Sequence, residues 1–350
     1  MNRLLFLLKR REDYNAITHN EIGLSTGLYN SAKFVVDMLN EMYISATLRV
    51  CIDANCIDRM VTDYKPTHCI LEALWVTPVK LNELARLHPN IKWIVRLHSE
   101  MPFMANEGMA MNWLAEYIKH PNVIIGINAP RMMREVDVYF KALGYENKTI
   151  YLPNYYNQNL LKPSPSKLEW LKVKETVDVA CFGAVRPLKN HLIQAIAAVE
   201  FAERIGKKLN FHINAGRIEM KGDPVLHNLK AMFLHLHDRG HQLIMHTWCP
   251  QQEFLQICDK IDIGMQVSFS ETFNIVAADL LSRGVPVIGS KEIPWLSDHL
   301  EHPDPTDSAT IAKDLRHAYT YPRLNVWLNQ RSLTKYTNKT KKIWRKHFEG

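Results

Sequence analysis

The chain has 350 residues, 47% of them hydrophobic, and its 43 Lys and Arg against 36 Asp and Glu give a formal net charge of +7. Length and composition fit two packed domains of ordinary size and exclude a disordered or low-complexity chain. No run approaches the roughly eighteen apolar residues of a membrane-spanning helix, and six scattered Cys without a C-x-x-C pair point to a reducing, cytoplasmic setting rather than a disulfide framework.

The opening stretch MNRLLFLLKRR holds one short apolar run, Leu4 to Leu8, with charges behind it and no small-residue cleavage site. It reads as a first buried strand rather than a signal peptide. Lys9, Arg10 and Arg11 follow at its carboxyl end. Further strands are predicted at 47–52, 68–75, 91–97 and 123–127, with helices at 31–41, 78–87, 109–119 and 131–143. Such alternation implies a parallel sheet covered on both faces.

The alternation pauses at YLPNYYNQNLLKPSPSKLEWLK, whose Pro, Ser and Asn mark a linker or crossover. It restarts with strands at 177–182, 209–215, 242–246, 261–267 and 285–288, and helices at 191–205, 225–239, 252–258 and 273–282. This second doubly wound domain sets the expected division: 1–160, 161–322, and a basic helical segment 323–350. Ligands of open α/β sheets bind outside the carboxyl ends of the strands, so two such domains are expected to face a cleft from those ends. The chain has no G-x-G-x-x-G, no G-x-x-x-x-G-K and no D-x-D, so no metal-diphosphate site of the D-x-D type is expected. HLHDRGH, 235–241, is read as helix surface ending at a cap on Gly240, not as a metal centre.

The most informative stretch is SFSETFNIVAADLLSRGVPVIGS, Ser268 to Ser290. Glu271 stands at the mouth of the predicted 273–282 helix. The backbone N–H groups of Thr272, Phe273 and Asn274 are expected as unpaired donors for a phosphate. Asp279, slightly over two turns on, lies near the face of Glu271, and a carboxylate accepts two hydrogen bonds from a vicinal diol. The helix is thus suited to a diphosphate at its tip and a ribose further down. Upstream, CFGAVRPLKNH brings Arg186 and Lys189 to a strand's carboxyl end. Two cations there can stabilise a diphosphate leaving group without a metal.

Here the sequence resembles the GT-B glycosyltransferases of the family 4 type, whose E-x7-E signature runs into a helix ending in Gly-hydrophobic-Pro-Val. The chain has Glu271-x7-Asp279, then Gly284-Val285-Pro286-Val287, with Asp one methylene short of the family's second acid. The resemblance implies that Glu271 contacts the donor sugar, Asp279 the ribose, and Arg186 and Lys189 the diphosphate. IVRLHSEMPF resembles the strand whose terminal His approaches the reacting sugar, which points to His98. EIGLSTGLYNSAKFVVDML resembles the family's glycine loop and first helix, around Gly27, and YLPNYYN its "PNG" segment at the domain junction. What the resemblance implies is an α/β GT-B fold of two Rossmann-like domains with a C-terminal helix crossing back. It also implies a nucleotide-sugar donor, transfer with retention, no metal and no cofactor.

The acceptor is read from charge. Residues 331–350 carry seven Lys or Arg against one Glu, which leaves the rest of the chain nearly neutral. Leu333, Tyr336, Thr340, Ile343, Trp344 and His347 fall near one helical stripe, with Lys339, Lys341, Lys342, Arg345 and Lys346 mostly off it. Lys9, Arg10, Arg11, Glu100, Lys342 and Arg345 are the acceptor-side candidates. The expected acceptor is a hydroxymethylated base in double-stranded DNA, a fold-level analogy with phage DNA glycosyltransferases. The alternative is a cell-surface or lipid-linked saccharide, with the tail on an anionic membrane. Two other classes stay open: a nucleotide-sugar epimerase, with Glu100 as its first-domain acid, and an inactive nucleotide-sugar-binding protein.

Overall fold

The computed structural model describes residues 2–10, 26–161 and 174–349. The chain divides into two units, Met1–Asn157 with Thr337–Gly350, and Gln158–Tyr336.

Unit 1 is built on six parallel strands, β1 (Arg3–Lys9), β2 (Ser45–Cys51), β3 (His68–Glu72), β4 (Lys92–Leu97), β5 (Val123–Ile127) and β6 (Thr149–Tyr151), in the order 2-1-3-4-5-6. Both faces are covered, so β1 is apolar at consecutive positions rather than alternate ones, and Leu4 to Leu8 are at most 1% exposed. Leu5, Leu7, Trp93, Val95 and Ile125 share a core with α2 (Cys56–Tyr64), α3 (Pro78–Leu87), α5 (Ala110–Tyr117) and α6 (Pro130–Ala142). α1 (Thr26–Glu41) packs on β1 and β2; the four-residue α4 (Met101–Met104) follows β4. The strand order reverses between β1 and β3. Open α/β sheets bind ligands at the carboxyl edge of such a switch point.

Unit 2 carries five parallel strands, β7 (Thr176–Val185), β8 (Lys208–Ile218), β9 (Gln242–His246), β10 (Ile263–Gln266) and β11 (Val287–Gly289), in the order 11-10-7-8-9. Val179, Cys181, Phe211 and Ile213 form a core with α7 (His191–Arg204), α8 (Gly222–Leu236) and α11 (Ser308–Thr320). α10 (Ile275–Ser282) packs on β10 and β11, and against α9 (Gln251–Cys258). The order reverses between β7 and β10, the second switch point. Gly240, at φ +83, caps the turn after α8, as the HLHDRGH stretch predicts. Among the described residues no group of three or more His, Cys, Asp or Glu could hold a metal ion, and no described helix is long and apolar enough to cross a membrane.

The last helix, α12 (Pro322–Phe348), runs through the division between the units. Its buried stripe is Leu333, Thr337, Thr340, Trp344 and Phe348. Relative to the predicted stripe this is a rotation: Tyr336 and Ile343 are half-buried and His347 is exposed. Trp344 packs on Phe6 of β1, with ring centroids 6.0 Å apart.

Three features differ from the sequence reading for local reasons. β3 stops at Glu72 instead of running to 75, because Ala73 turns to φ +70 and donates its N–H to the Arg96 carbonyl at 2.9 Å. α1 begins at Thr26, not 31, which places Gly27 in its first turn rather than in the loop before it. α10 begins at Ile275, with Asn274 as its cap.

Candidate active site

The β7/β10 switch point gathers most of the predicted donor-site residues. β7 is irregular where it reaches this edge, with register shifts against β8 at Ala184 and Val185. Gly183 holds φ +116 there and donates its N–H to Asn214 Oδ1 at 2.9 Å. Such a bulge bends the strand and re-aims the residues after it. A Cβ on Gly183 would lie 3.4 Å from Cε of Lys189, so the glycine leaves the lysine its channel. Gly183→Ala is expected to lower stability by about 1–3 kcal/mol through strain at this φ and to displace Lys189. A melt alongside calorimetry with a nucleoside diphosphate checks both effects.

After β7 a 3-10 turn, Pro187–Lys189, leads to Asn190 at φ +58 and into α7. Polar side chains tie this turn to the end of β10. Asn190 Nδ2 donates to the Val267 carbonyl at 3.0 Å, and the Val267 N–H donates to Gln194 Oε1 at 2.8 Å. Gln194 Nε2 donates back to the Lys189 carbonyl at 2.7 Å. The Phe269 N–H donates to the Leu188 carbonyl at 2.9 Å. Two loops that diverge from neighbouring strands are thereby held as one surface.

On that surface Lys189 and Glu271 form a buried ion pair, Nζ to Oε1 at 2.5 Å. The sequence places Glu271 at the mouth of a helix; the structure closes it against Lys189. Arg186 bonds Glu219 at 3.2 Å, and Glu219 also pairs with Arg217, whose guanidinium lies 5.2 Å from the Trp248 ring centre. The cations expected to meet a diphosphate thus already meet carboxylates, and an incoming anion must share or displace them. The field is nevertheless positive around the start of α7. His191 is pushed down to about 3, first by burial and then by the charges of Lys189 and Arg186.

The donors predicted at the next helix are corrected. Thr272, Phe273 and Asn274 precede α10 rather than forming its first turn. Phe273 is buried, its ring 6.0 Å from that of Trp295 and 5.7 Å from that of Tyr336. Its carbonyl accepts from Trp295 Nε1 at 2.5 Å. It is a core residue because the segment turns inward before the helix begins. Asn274, at φ +60, accepts the Ala277 N–H on Oδ1 and donates from Nδ2 to Gln266 Oε1, each at 2.9 Å. The first-turn N–H groups of α10 therefore belong to Ile275 and Val276. Asp279 is buried one turn further on and accepts from Gln251 Nε2, at the start of α9, at 3.0 Å.

The structure places the unit 1 candidates in separate groups. His98 directly follows β4 at the carboxyl edge, and its Nε2 bonds Oε2 of Glu72, the last residue of β3. Glu72 also takes Arg96 Nη1 at 3.1 and 3.2 Å. Burial alone would raise the Glu72 carboxyl, but Arg96 and His98 outweigh it and hold it below the usual range. His98 is held below its ordinary value, mainly by burial and then by Arg96, with Glu72 acting against both. Glu100 caps α4, is buried, and pairs with Arg131 rather than standing open to an acceptor. Lys9 is exposed and Arg10 half-buried at the carboxyl end of β1; Arg11 lies outside the described residues. Lys342 and Arg345 are exposed on α12, where Arg345 approaches Glu349 at 3.5 Å.

The sequence reading missed Glu72, Arg96, Gln251, Arg217 and Glu219. Glu72 and Arg96 did carry a signal: each is a charged residue in an otherwise apolar strand, where burial is costly without a partner. The other three carry none, since polar residues at strand ends, in loops and at helix starts are ordinary.

No family model matches the chain, and no curated protein matches it in sequence. Solved structures do match over its whole length. The Anabaena protein HepE, solved with UDP and glucose, is 13% identical over 100% of this chain and 99% of its own, with a TM-score of 0.66. An α,α-trehalose-phosphate synthase (UDP-forming) from Burkholderia vietnamiensis is 11% identical over 99% and 96%, with a TM-score of 0.69. The sucrose-phosphate synthase of Thermosynechococcus elongatus is 13% identical over 99% of each chain, with a TM-score of 0.66. At these identities the likeness establishes the fold: two Rossmann-like domains of the GT-B class.

Proposed function

We propose that the chain is a glycosyltransferase that moves a sugar from a nucleotide-diphosphate donor to an acceptor hydroxyl with retention of configuration. The buried Lys189–Glu271 pair at the unit 2 switch point carries this reading. A cation and an acid kept out of water where an α/β sheet binds ligands suit a charged leaving group beside a polyhydroxylated one. HepE is solved with UDP and glucose, and the trehalose-phosphate synthase is UDP-forming; both support a uridine diphosphate sugar as donor.

In this reading Arg186 and Lys189 take the charge growing on the diphosphate as its bond to the sugar breaks. Glu271 accepts from sugar hydroxyls and Asp279 from the ribose diol. His98 is assigned to a hydroxyl of the reacting partners. The acceptor oxygen forms the new bond on the face the diphosphate leaves, and the acceptor's proton passes to the departing phosphate oxygen. No separate general base is then required.

For the acceptor we propose a hydroxymethylated base in duplex DNA, flipped out of the stack to reach the donor. Lys9, Lys339, Lys342, Arg345 and Lys346 are exposed and able to meet phosphates. Lys341 is set apart from them, 3.8 Å from Glu41 and over the Tyr155 ring. Incubation with sugar nucleotides and hydroxymethylated DNA, then mass spectrometry of the released nucleosides, should show one added sugar mass; plain DNA should show none. DNA binding should weaken with salt at a log–log slope of about −0.9 per phosphate contacted, and reversing Lys342, Arg345 and Lys346 to Glu should flatten it. An unchanged slope in a gel-shift series rules out this face. Wild type that ignores duplex DNA but sediments with anionic vesicles points instead to a membrane-borne saccharide.

A further inference from the structure

α3 and α5 lie side by side against the unit 1 core. Each connects one parallel strand to the next, β3 to β4 and β4 to β5, so the two helices run in the same direction. Between them lies a cavity of about 720 Å³, within the size range of small-molecule sites. Its floor is apolar: Leu81, Tyr117 and Val123 are at most 2% exposed. The Tyr117 hydroxyl donates to the Val76 carbonyl, so the one polar side-chain atom of that floor is already satisfied.

The walls change character along their length. Val79 and Trp113 stand near the starts of the two helices; Val79 is 81% exposed, and Trp113 is half-buried with its ring edge-on to Tyr117 at 6.3 Å. Arg86 and His120 stand at the other end, in the last turn of α3 and just past α5. From Val79 to Arg86 the helix rises roughly 10 Å.

The Arg86 end carries positive charge without a local counter-charge. Glu116 is the only acid among the described residues lining the cavity, and it pairs with Lys119 at 2.5 Å. Arg86 has no ion pair and no side-chain hydrogen bond among the described residues. Lys148 donates only to the carbonyls of His120, Pro121 and Val123, at 2.8, 3.3 and 3.2 Å. His120 is held below its ordinary value by burial, then by Arg86 and Lys148, so its ring is neutral near pH 7. Nδ1 accepts the Asn122 N–H at 3.2 Å, which puts the ring proton on Nε2, and no described residue accepts that proton. Water serves an isolated surface arginine well. It serves an apolar floor beside one poorly, and apolar recesses rimmed by polar groups mark binding sites. A guanidinium and an imidazole N–H at the end of such a recess match an anion, which accepts charge-assisted hydrogen bonds from both.

We propose that the cavity between α3 and α5 binds a small amphiphilic anion, its flat apolar body on Leu81, Trp113 and Tyr117 and its carboxylate or phosphate on Arg86 and His120 Nε2. The site lies within unit 1 and does not depend on the glycosyltransferase reading.

Calorimetric titration of the full chain with naphthyl phosphate, naphthoate and neutral naphthol tests the proposal. At least one of the two anions should bind saturably, and naphthol should bind on the order of 10-fold or more weaker, the scale of a hydrogen bond to a charged group. Binding of the phosphate alone makes the ligand a phosphate monoester; binding of naphthoate alone makes it a carboxylic acid. Arg86 is exposed, so Arg86→Ala should fold and should weaken the anion on the order of 10-fold or more, with naphthol unaffected. In nitrogen–proton spectra the Trp113 indole signal, assigned by its loss in Trp113→Phe, should move during the titration. No saturable binding of either anion overturns the proposal. So does naphthol binding as tightly as the anions, an unchanged anion affinity in Arg86→Ala, or a Trp113 signal that stays in place.

Discussion

Glu271→Ala is expected to abolish transfer and also to lower the unfolding free energy of unit 2 by about 3–5 kcal/mol. Both effects have one cause. Glu271 is 8% exposed and Lys189 7%, and their charges stand 2.5 Å apart. Removing the acid leaves an ammonium with neither water nor counter-ion. A residue at a cleft helix tip that carries little core, as the sequence alone implies for Glu271, predicts loss of activity without loss of stability; burial in an ion pair predicts both. Glu271→Gln retains an acceptor for Lys189 and should recover part of the stability but little of the activity. Thermal unfolding and a transfer assay on both variants check this. An alanine variant as stable as wild type would mean that the acid faces solvent.

Trp344→Ala is the second large effect, about 3–5 kcal/mol, the usual range for emptying a buried Trp site. The indole is fully buried, donates from Nε1 to the Pro153 carbonyl at 2.9 Å, and stacks on Phe348 at 5.6 Å as well as meeting Phe6. Its loss opens a void over β1, leaves a carbonyl unpaired, and removes one wall from Arg96. Unit 1 should melt at a lower temperature and the end of α12 should become sensitive to protease. Nucleoside diphosphate binding, which rests on unit 2, should persist. Equal loss of binding and stability in calorimetry and melting would contradict that separation.

How much of the molecule is legible in the sequence turns on the range of each signal. Alternating apolar runs and helical periods depend on local sequence, so both doubly wound domains are readable, as is the cap at Gly240. Four elements are not: the three-residue β6 and the four-residue α4, too short to carry a period, and the longer α2 and α11, which the sequence reading passed over. The sequence misplaces the start of α10 because Asn274 takes a left-handed cap and Phe273 turns into the core, and apolar residues beside a helix look like helix. Lys189 and Glu271 each stand out, 82 positions apart in the chain, but nothing local shows that they pair. The Glu72–Arg96–His98 cluster joins two strands and is visible only as charges in apolar runs.

The β7/β10 switch point of unit 2 is proposed to hold a nucleoside diphosphate through Arg186 and Lys189. Calorimetric titration of the full chain with nucleoside diphosphates, UDP among them, tests it most directly. Wild type should bind at least one of them without added metal, and Arg186→Ala and Lys189→Gln, each shown to be folded, should each lose about 2–4 kcal/mol of binding free energy. Binding that is absent in wild type, or unchanged in both variants, would contradict the account.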